Sequence, residues 1–216
     1  EGPSIDNNAY LKTIVDKVNP DLVHIFGTEF EHTLAMINVC IEQGIETVIS
    51  IQGLVSIIAK HYMADLPFNV QRRFTFRDFA KQDNIQQQQK KFIHKGKSEI
   101  EAIKRTKHVI GRTTWDKACV SQINPNAIYH FCNETLREEF YTHRWKVDDC
   151  EKFSIFTSQA SYPIKGIHFV LEAMPLILKR YPKAKLYIAG HNITESETIK
   201  QKIKLSSYAM YIKDLI

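Results

Sequence analysis

A lysine set directly before a glycine at a helix start can hold a phosphate, and Lys165-Gly166 is such a pair. The glycine permits close backbone approach, and the helix N-terminus offers free N–H groups and partial positive charge. Hydroxyls stand nearby at Ser158 and Ser161. Lone Lys-Gly dipeptides are common, so the pair gains weight only from a strand before it and a helix after it. A second set of candidates lies where apolar runs end in small or polar residues: Gly27-Thr28, Gln52-Gly53, Gly111-Arg112-Thr113, Ser158-Gln159 and Gly190-His191. Open parallel α/β sheets bind ligands at the carboxyl ends of their strands, where small residues leave room. Simple tight turns account for part of this set.

Other chemistries find little support. There is no Gly-rich P-loop, no GxGxxG after a strand, no HExxH and no GxSxG. His24 and His32 are not at a useful metal spacing. The cysteines, Cys40, Cys119, Cys132 and Cys150, include no CxxC pair. Reduced thiols in a cytosolic setting are therefore the default.

The elements that must position these residues follow from hydrophobic periodicity. Leu11, Ile14, Val15 and Val18 form a helical stripe that Asn19-Pro20 ends. A nearly continuous apolar run over 21–26 reads as a strand. A helix from Glu31 to Gln43, stopped by Gly44, and a strand over 46–51 come next. Leu54–Met63 and the polar stretch Asp83–Lys107 are expected helices. Strands are expected at 108–110, 127–131, 152–158 and 185–189. Helices are expected at 115–120, 134–141 and 167–181, with Trp145–Glu151 as a linker and a partly helical tail from Glu195. Apolar strands alternating with helices predict an α/β fold, with parallel sheets covered on both faces.

Composition bounds the class. The chain has 216 residues, 44% hydrophobic and 25% charged, with a formal charge of +5. No run of 18 apolar residues exists to cross a membrane. The densest basic stretch, Lys90 to Lys107, reads first as a solvated helix face, and second as a surface for anionic lipid or a phosphorylated partner. Phe68–Phe79 mixes arginines with phenylalanines. That mixture can pack as a lid or serve as a docking surface.

The run from Lys165-Gly166-Ile167-His168 through Glu172-Ala173 and Tyr181-Pro182 to Ile188-Ala189-Gly190 resembles the start of the C-terminal domain of the retaining glycosyltransferases of the large group 1 family, family 4. Asp21-Leu22-Val23-His24 resembles that family's N-domain strand. Ile110-Gly111-Arg112-Thr113-Thr114-Trp115-Asp116 and Asn133-Glu134-Thr135 are similar to a bacterial branch of it. The resemblance covers nearly the whole chain, through the order and spacing of its motifs.

The resemblance implies the GT-B architecture, two Rossmann-like domains with a later N-terminal portion over 1–148 and an opening C-terminal portion over 149–216. Both domains are expected to be incomplete. The family's N-terminal strands and its paired donor-site glutamates find no counterpart, so the chain resembles a central fragment, expected to be inactive alone. It implies transfer of a sugar from a nucleotide diphosphate sugar to a glycan or lipid-linked acceptor, with retention and with no metal or other cofactor. Lys165 and Gly166 match the donor diphosphate contacts, with Ser158 and Ser161 beside them. His24, Gly27, Gln52, Gly53, Arg112 and Thr113 fall on the acceptor side. Two positions depart from the family pattern: Ala160 stands for the usual arginine, and Phe26 for the second histidine of the N-domain strand. A non-catalytic GT-B-like scaffold and a sugar-nucleotide epimerase are the alternatives. The expected setting is cytoplasmic, with peripheral membrane contact, no nucleic acid, and self-association through unfinished apolar faces.

Overall fold

The computed structural model describes residues 7–158 and 161–216. In chain order the elements are α1 (Asn7–Val18), β1 (Leu22–Phe26), α2 (Glu31–Gln43), β2 (Glu46–Ser50), α3 (Val55–His61), α4 (Phe68–Arg72), α5 (Phe76–Lys81) and α6 (Ile85–Arg105). They continue with β3 (His108–Gly111), α7 (Thr114–Ile123), β4 (Ile128–Phe131), α8 (Glu139–Thr142), β5 (Ser154–Ser158), α9 (Ile167–Arg180), β6 (Lys185–Ala189), α10 (Ile199–Ile203) and α11 (Ser207–Leu215). The protein is α/β, with parallel sheets flanked by helices, consistent with a Rossmann-like fold. Two compact units form. One takes the chain up to Lys60 with Lys91–Thr135, and the other takes His61–Lys90 with Leu136–Ile216.

In the first unit four parallel strands lie in sequence order, β1-β2-β3-β4. Right-handed crossovers between strands laid down in order bring the connecting helices to one face. The packing agrees. Ile25 and Ile49 pack with Ile37 of α2 and Ala102 of α6. Further along the same face, Ile51, Leu54 and Val109 pack with Ile103 of α6 and Val120 of α7. The register puts Leu22, His24 and Phe26 on the opposite face, and all three are exposed.

Local chemistry explains the boundaries. Gly44 ends α2 at φ 70°, and its N–H reaches the carbonyls of Cys40 and Ile41. That left-handed cap suits glycine. Thr113 starts α7 through a capping box with Asp116. The aromatic stretch at 68–79 forms two short helices, because Thr75 caps α5 with Asp78 and restarts the chain there. The helix expected from Glu134 shrinks to Glu139–Thr142. Every residue from Cys132 to Cys150 is exposed, so no burial supports a longer helix. Within the expected linker, Val147–Asp149 makes a 3-10 turn.

One residue on α6 departs sharply from the solvated face expected there. Glu99 is fully buried. Its carboxylate accepts the backbone N–H of Val55 at 2.8 Å, the N–H of Ser56 at 2.8 Å, the Ser56 hydroxyl at 2.6 Å and the Thr28 hydroxyl. Val55 and Ser56 open α3, so a remote carboxylate does the work of an N-cap. Gly96, one turn earlier, makes room for this approach. A Cβ there would stand 2.7 Å from the Ser56 Cα.

In the second unit β5 and β6 pair in parallel, Ser154 with Lys185 through Ser158 with Ala189. Glu151 clasps β6 by accepting from Lys185 Nζ and the Tyr187 hydroxyl, both at 2.6 Å. Those two hydrogen bonds hold its carboxyl below the usual range. Ile167, Leu171, Leu205, Tyr208, Ala209 and Ile212 are buried. His168 is buried between the Ala64 carbonyl, 2.8 Å from Nε2, and the Tyr208 hydroxyl, 3.1 Å from Nδ1. A carbonyl can only accept, so Nε2 carries a proton, and in the neutral ring Nδ1 is then the acceptor facing Tyr208. Burial pushes the Tyr208 hydroxyl well up, which keeps it a donor. All four cysteines are free thiols, and burial raises that of Cys40.

Candidate functional site

The carboxyl ends of β1 to β4 open into a cavity of about 280 Å³. Its walls come from three strands and the segment after the fourth, including His24 and Phe26 of β1, Ser50 of β2, Ile110 of β3, and Asn133 and Glu134 after β4. The parallel direction of the strands gathers these residues at one end, where such sheets bind ligands. His24 Nε2 lies 2.6 Å from the Ser50 hydroxyl, and the His24 and Phe26 rings sit 4.0 Å apart.

Arg112 and Glu134 form the charged part of the cavity, with Arg112 Nη1 3.0 Å from Glu134 Oε2. The Gln52 amide donates to the other Glu134 oxygen at 2.7 Å. Arg112 Nη2 reaches the Ile51 and Gln52 carbonyls at 3.5 and 3.4 Å. The guanidinium is thus fixed by one carboxylate and two carbonyls. A half-exposed fork held this way can present its remaining N–H groups to a hydroxyl-rich or anionic ligand.

The six residues expected on an acceptor side divide by what they do in the structure. His24 and Arg112 line the cavity, and Gln52 joins it through Glu134. Thr113 spends its hydroxyl on the Asp116 N–H, capping α7. Gly27 turns the chain out of β1 at φ 84°. Gly53 lends its carbonyl to Thr28 at 3.2 Å. Ser50, Asn133 and Glu134 also line the cavity, and sequence reasoning had given them no role. Their signal was available: each stands at or just after the carboxyl end of a strand.

In the second unit Ser158 is the last residue of β5. Lys165 ends the 3-10 turn Pro163–Lys165 and is exposed. Gly166 follows at φ 74°, as N-cap of the 14-residue α9, with no side chain to cap the helix. The lysine and the helix start thus lie side by side, with the Phe169 N–H bonded to the Gly166 carbonyl at 3.1 Å and Ile167 and His168 buried. Ser161 is half-buried. Gln159 and Ala160 lie outside the described residues. Among the described residues no three His, Cys, Asp or Glu side chains converge to hold a metal ion, and no helix is long and apolar enough to cross a membrane.

No protein-family model matches the chain, and no curated protein matches it.

Proposed function

We propose that the chain carries acceptor-side and donor-side elements of a retaining glycosyltransferase that uses a nucleotide diphosphate sugar. The observation that carries this reading is Lys165-Gly166 at the uncapped start of α9, directly downstream of β5. The resemblance to the group 1 family assigns the donor diphosphate to that position. The barrier in such a transfer lies in breaking the anomeric C–O bond, and negative charge collects on the departing phosphate. A lysine ammonium and a helix N-terminus aimed at that oxygen stabilise the charge as it forms. The cavity with His24, Arg112 and Glu134 supports an acceptor rich in hydroxyls, a glycan or a lipid-linked glycan. The setting proposed with it is the cytoplasm, at the inner membrane face.

The test is calorimetric titration of the chain with UDP-, GDP- and ADP-sugars. One of them should bind, and Lys165→Ala should weaken it about 10- to 100-fold, the size of a lost charged hydrogen bond. Unchanged donor affinity in that variant would remove Lys165 from the reading. Phe26, which lines the cavity where the family pattern has a histidine, favours a second reading, a non-catalytic scaffold of the same architecture. Donor affinity is shared by both readings, so transfer of the sugar to an acceptor, and not donor binding, is what separates an enzyme from a scaffold.

A further inference from the structure

We propose that α4 and α5 form a surface that docks on an anionic lipid bilayer. This inference does not rest on the glycosyl-transfer reading. Four phenylalanines of this short stretch stand in solvent: Phe68 and Phe76 at 69% exposure, Phe79 at 62% and Phe74 at 52%. Phe76 and Phe79 are three residues apart on α5 and share a face, with exposed Ala80 beside them. Phe74 meets Phe79 edge-on at 6.5 Å.

The rings are exposed on a well-anchored platform. Asp78, on the other side of α5, is fully buried and accepts from the Thr75 and Ser207 backbones, each at 3.2 Å. Val70 of α4 is buried, and Arg73 pairs with Asp214 at 3.1 Å. A stretch held this firmly exposes its phenylalanines by construction rather than by fraying. Phenyl rings carry no polar atom, so water gives them nothing in return for exposure. The boundary layer of a bilayer does.

Charge selects the occupant. Over 67–90 five basic side chains stand against two acidic ones. Arg73 and Arg77 are tied to Asp214, Asp78 and Asp83. Arg72, Lys81 and Lys90 are exposed. The Arg72 guanidinium lies 5.1 Å from the Phe68 ring centre, so a buried ring would leave the cation at headgroup level. Exposed rings and exposed cations carried by one short stretch of chain fit a negatively charged leaflet. Three exposed cations are few for tracking a nucleic-acid backbone, which draws its affinity from many phosphate contacts. The C-terminal end of α6, the other basic stretch, has its charges engaged: Lys104 and Arg105 with Glu101, and Lys107 with Glu46.

Co-sedimentation of the chain with vesicles tests the proposal. The chain should bind vesicles of equal phosphatidylglycerol and phosphatidylcholine at least tenfold more tightly than pure phosphatidylcholine. The triple variant Phe68→Ser, Phe76→Ser, Phe79→Ser should lose at least tenfold while its melting temperature holds, because exposed substitutions change stability little. Arg72→Glu with Lys81→Glu should abolish the preference for the anionic vesicles. Undiminished vesicle binding by the serine variant would overturn the proposal, as would a wild-type chain that ignores both vesicles. Two further outcomes would also overturn it: single-stranded RNA binding, or dimer formation, that needs these rings while vesicle binding is absent.

Discussion

Replacing Glu99 with alanine should cost about 3 to 5 kcal/mol of stability, among the largest losses expected of a point substitution. The variant leaves the Val55 and Ser56 N–H groups and the Ser56 hydroxyl facing a void, while the Thr28 hydroxyl keeps the Gly53 carbonyl as an acceptor. Each stranded donor costs about 1 to 3 kcal/mol, partly offset because a buried carboxylate no longer has to be desolvated. Glu99→Gln should be nearly as damaging. Each carboxylate oxygen accepts two donors, and the glutamine amide would set an N–H against one of those pairs. Gly96→Ala supplies an independent check, because its methyl would press on the Ser56 backbone from the same helix. Urea denaturation measures all three. A loss below about 1 kcal/mol for Glu99→Ala would mean that the α3 amides find other partners, contrary to the geometry.

That network also shows where sequence reasoning stops. The strands were legible, because runs such as Val23–Phe26 and Thr47–Ile51 are short, nearly continuous and apolar and lie between turn signals, although β1 buries only one face. The helix breaks were legible from Gly44 and Asn19-Pro20. Glu99, one of two glutamates among lysines, looks solvated in sequence, since its periodicity matches a charged face. Only its distance from the start of α3, 44 residues away in the chain, makes it structural. The same limit explains the aromatic stretch. Its composition allowed a packed lid or a docking surface, and only burial separates buried Asp78 from exposed Phe79 on one helix.

The candidate cavity was half legible for a related reason. Strand order follows from the βα alternation, so His24 and Arg112 could be assigned to one end of one sheet. Ser50 closes β2, so its place at the carboxyl end of a strand is readable from sequence, but its partner is not. It gains a role because the parallel register of β1 and β2 sets Phe26 beside Ser50 and brings the hydroxyl to His24. Glu134 was visible in a motif, yet its ion pair with Arg112 depends on β3 and β4 being neighbours. At α9 the position of Lys165-Gly166 was readable from the sequence. The left-handed φ of Gly166, which an alanine would adopt only under strain, was not.

Asp78→Ala should remove about 3 kcal/mol from the second unit. The carboxylate supplies three things at once. It completes the capping box with Thr75, worth about 1 kcal/mol in typical helices. It accepts the N–H of fully buried Ser207, and a stranded buried N–H costs about 1 to 3 kcal/mol. It also faces Arg77 at 3.2 Å, which then keeps only Asp83 at 3.5 Å. Asp78→Asn should recover part of the loss, because both backbone N–H groups use one oxygen, Oδ2, which the amide carbonyl can replace, while the amide NH2 then meets Arg77 where Oδ1 stood. Amide hydrogen exchange gives the sharper readout. Protection should fall first in α5 and at the start of α11, whose amides the carboxylate holds, while the strands of the first unit keep theirs. Uniform loss across both units would show instead that Asp78 acts on global stability and not as a local clasp. If exchange in α5 rises while the phenylalanines are untouched, vesicle binding in the same variant reports whether the ring surface needs its platform.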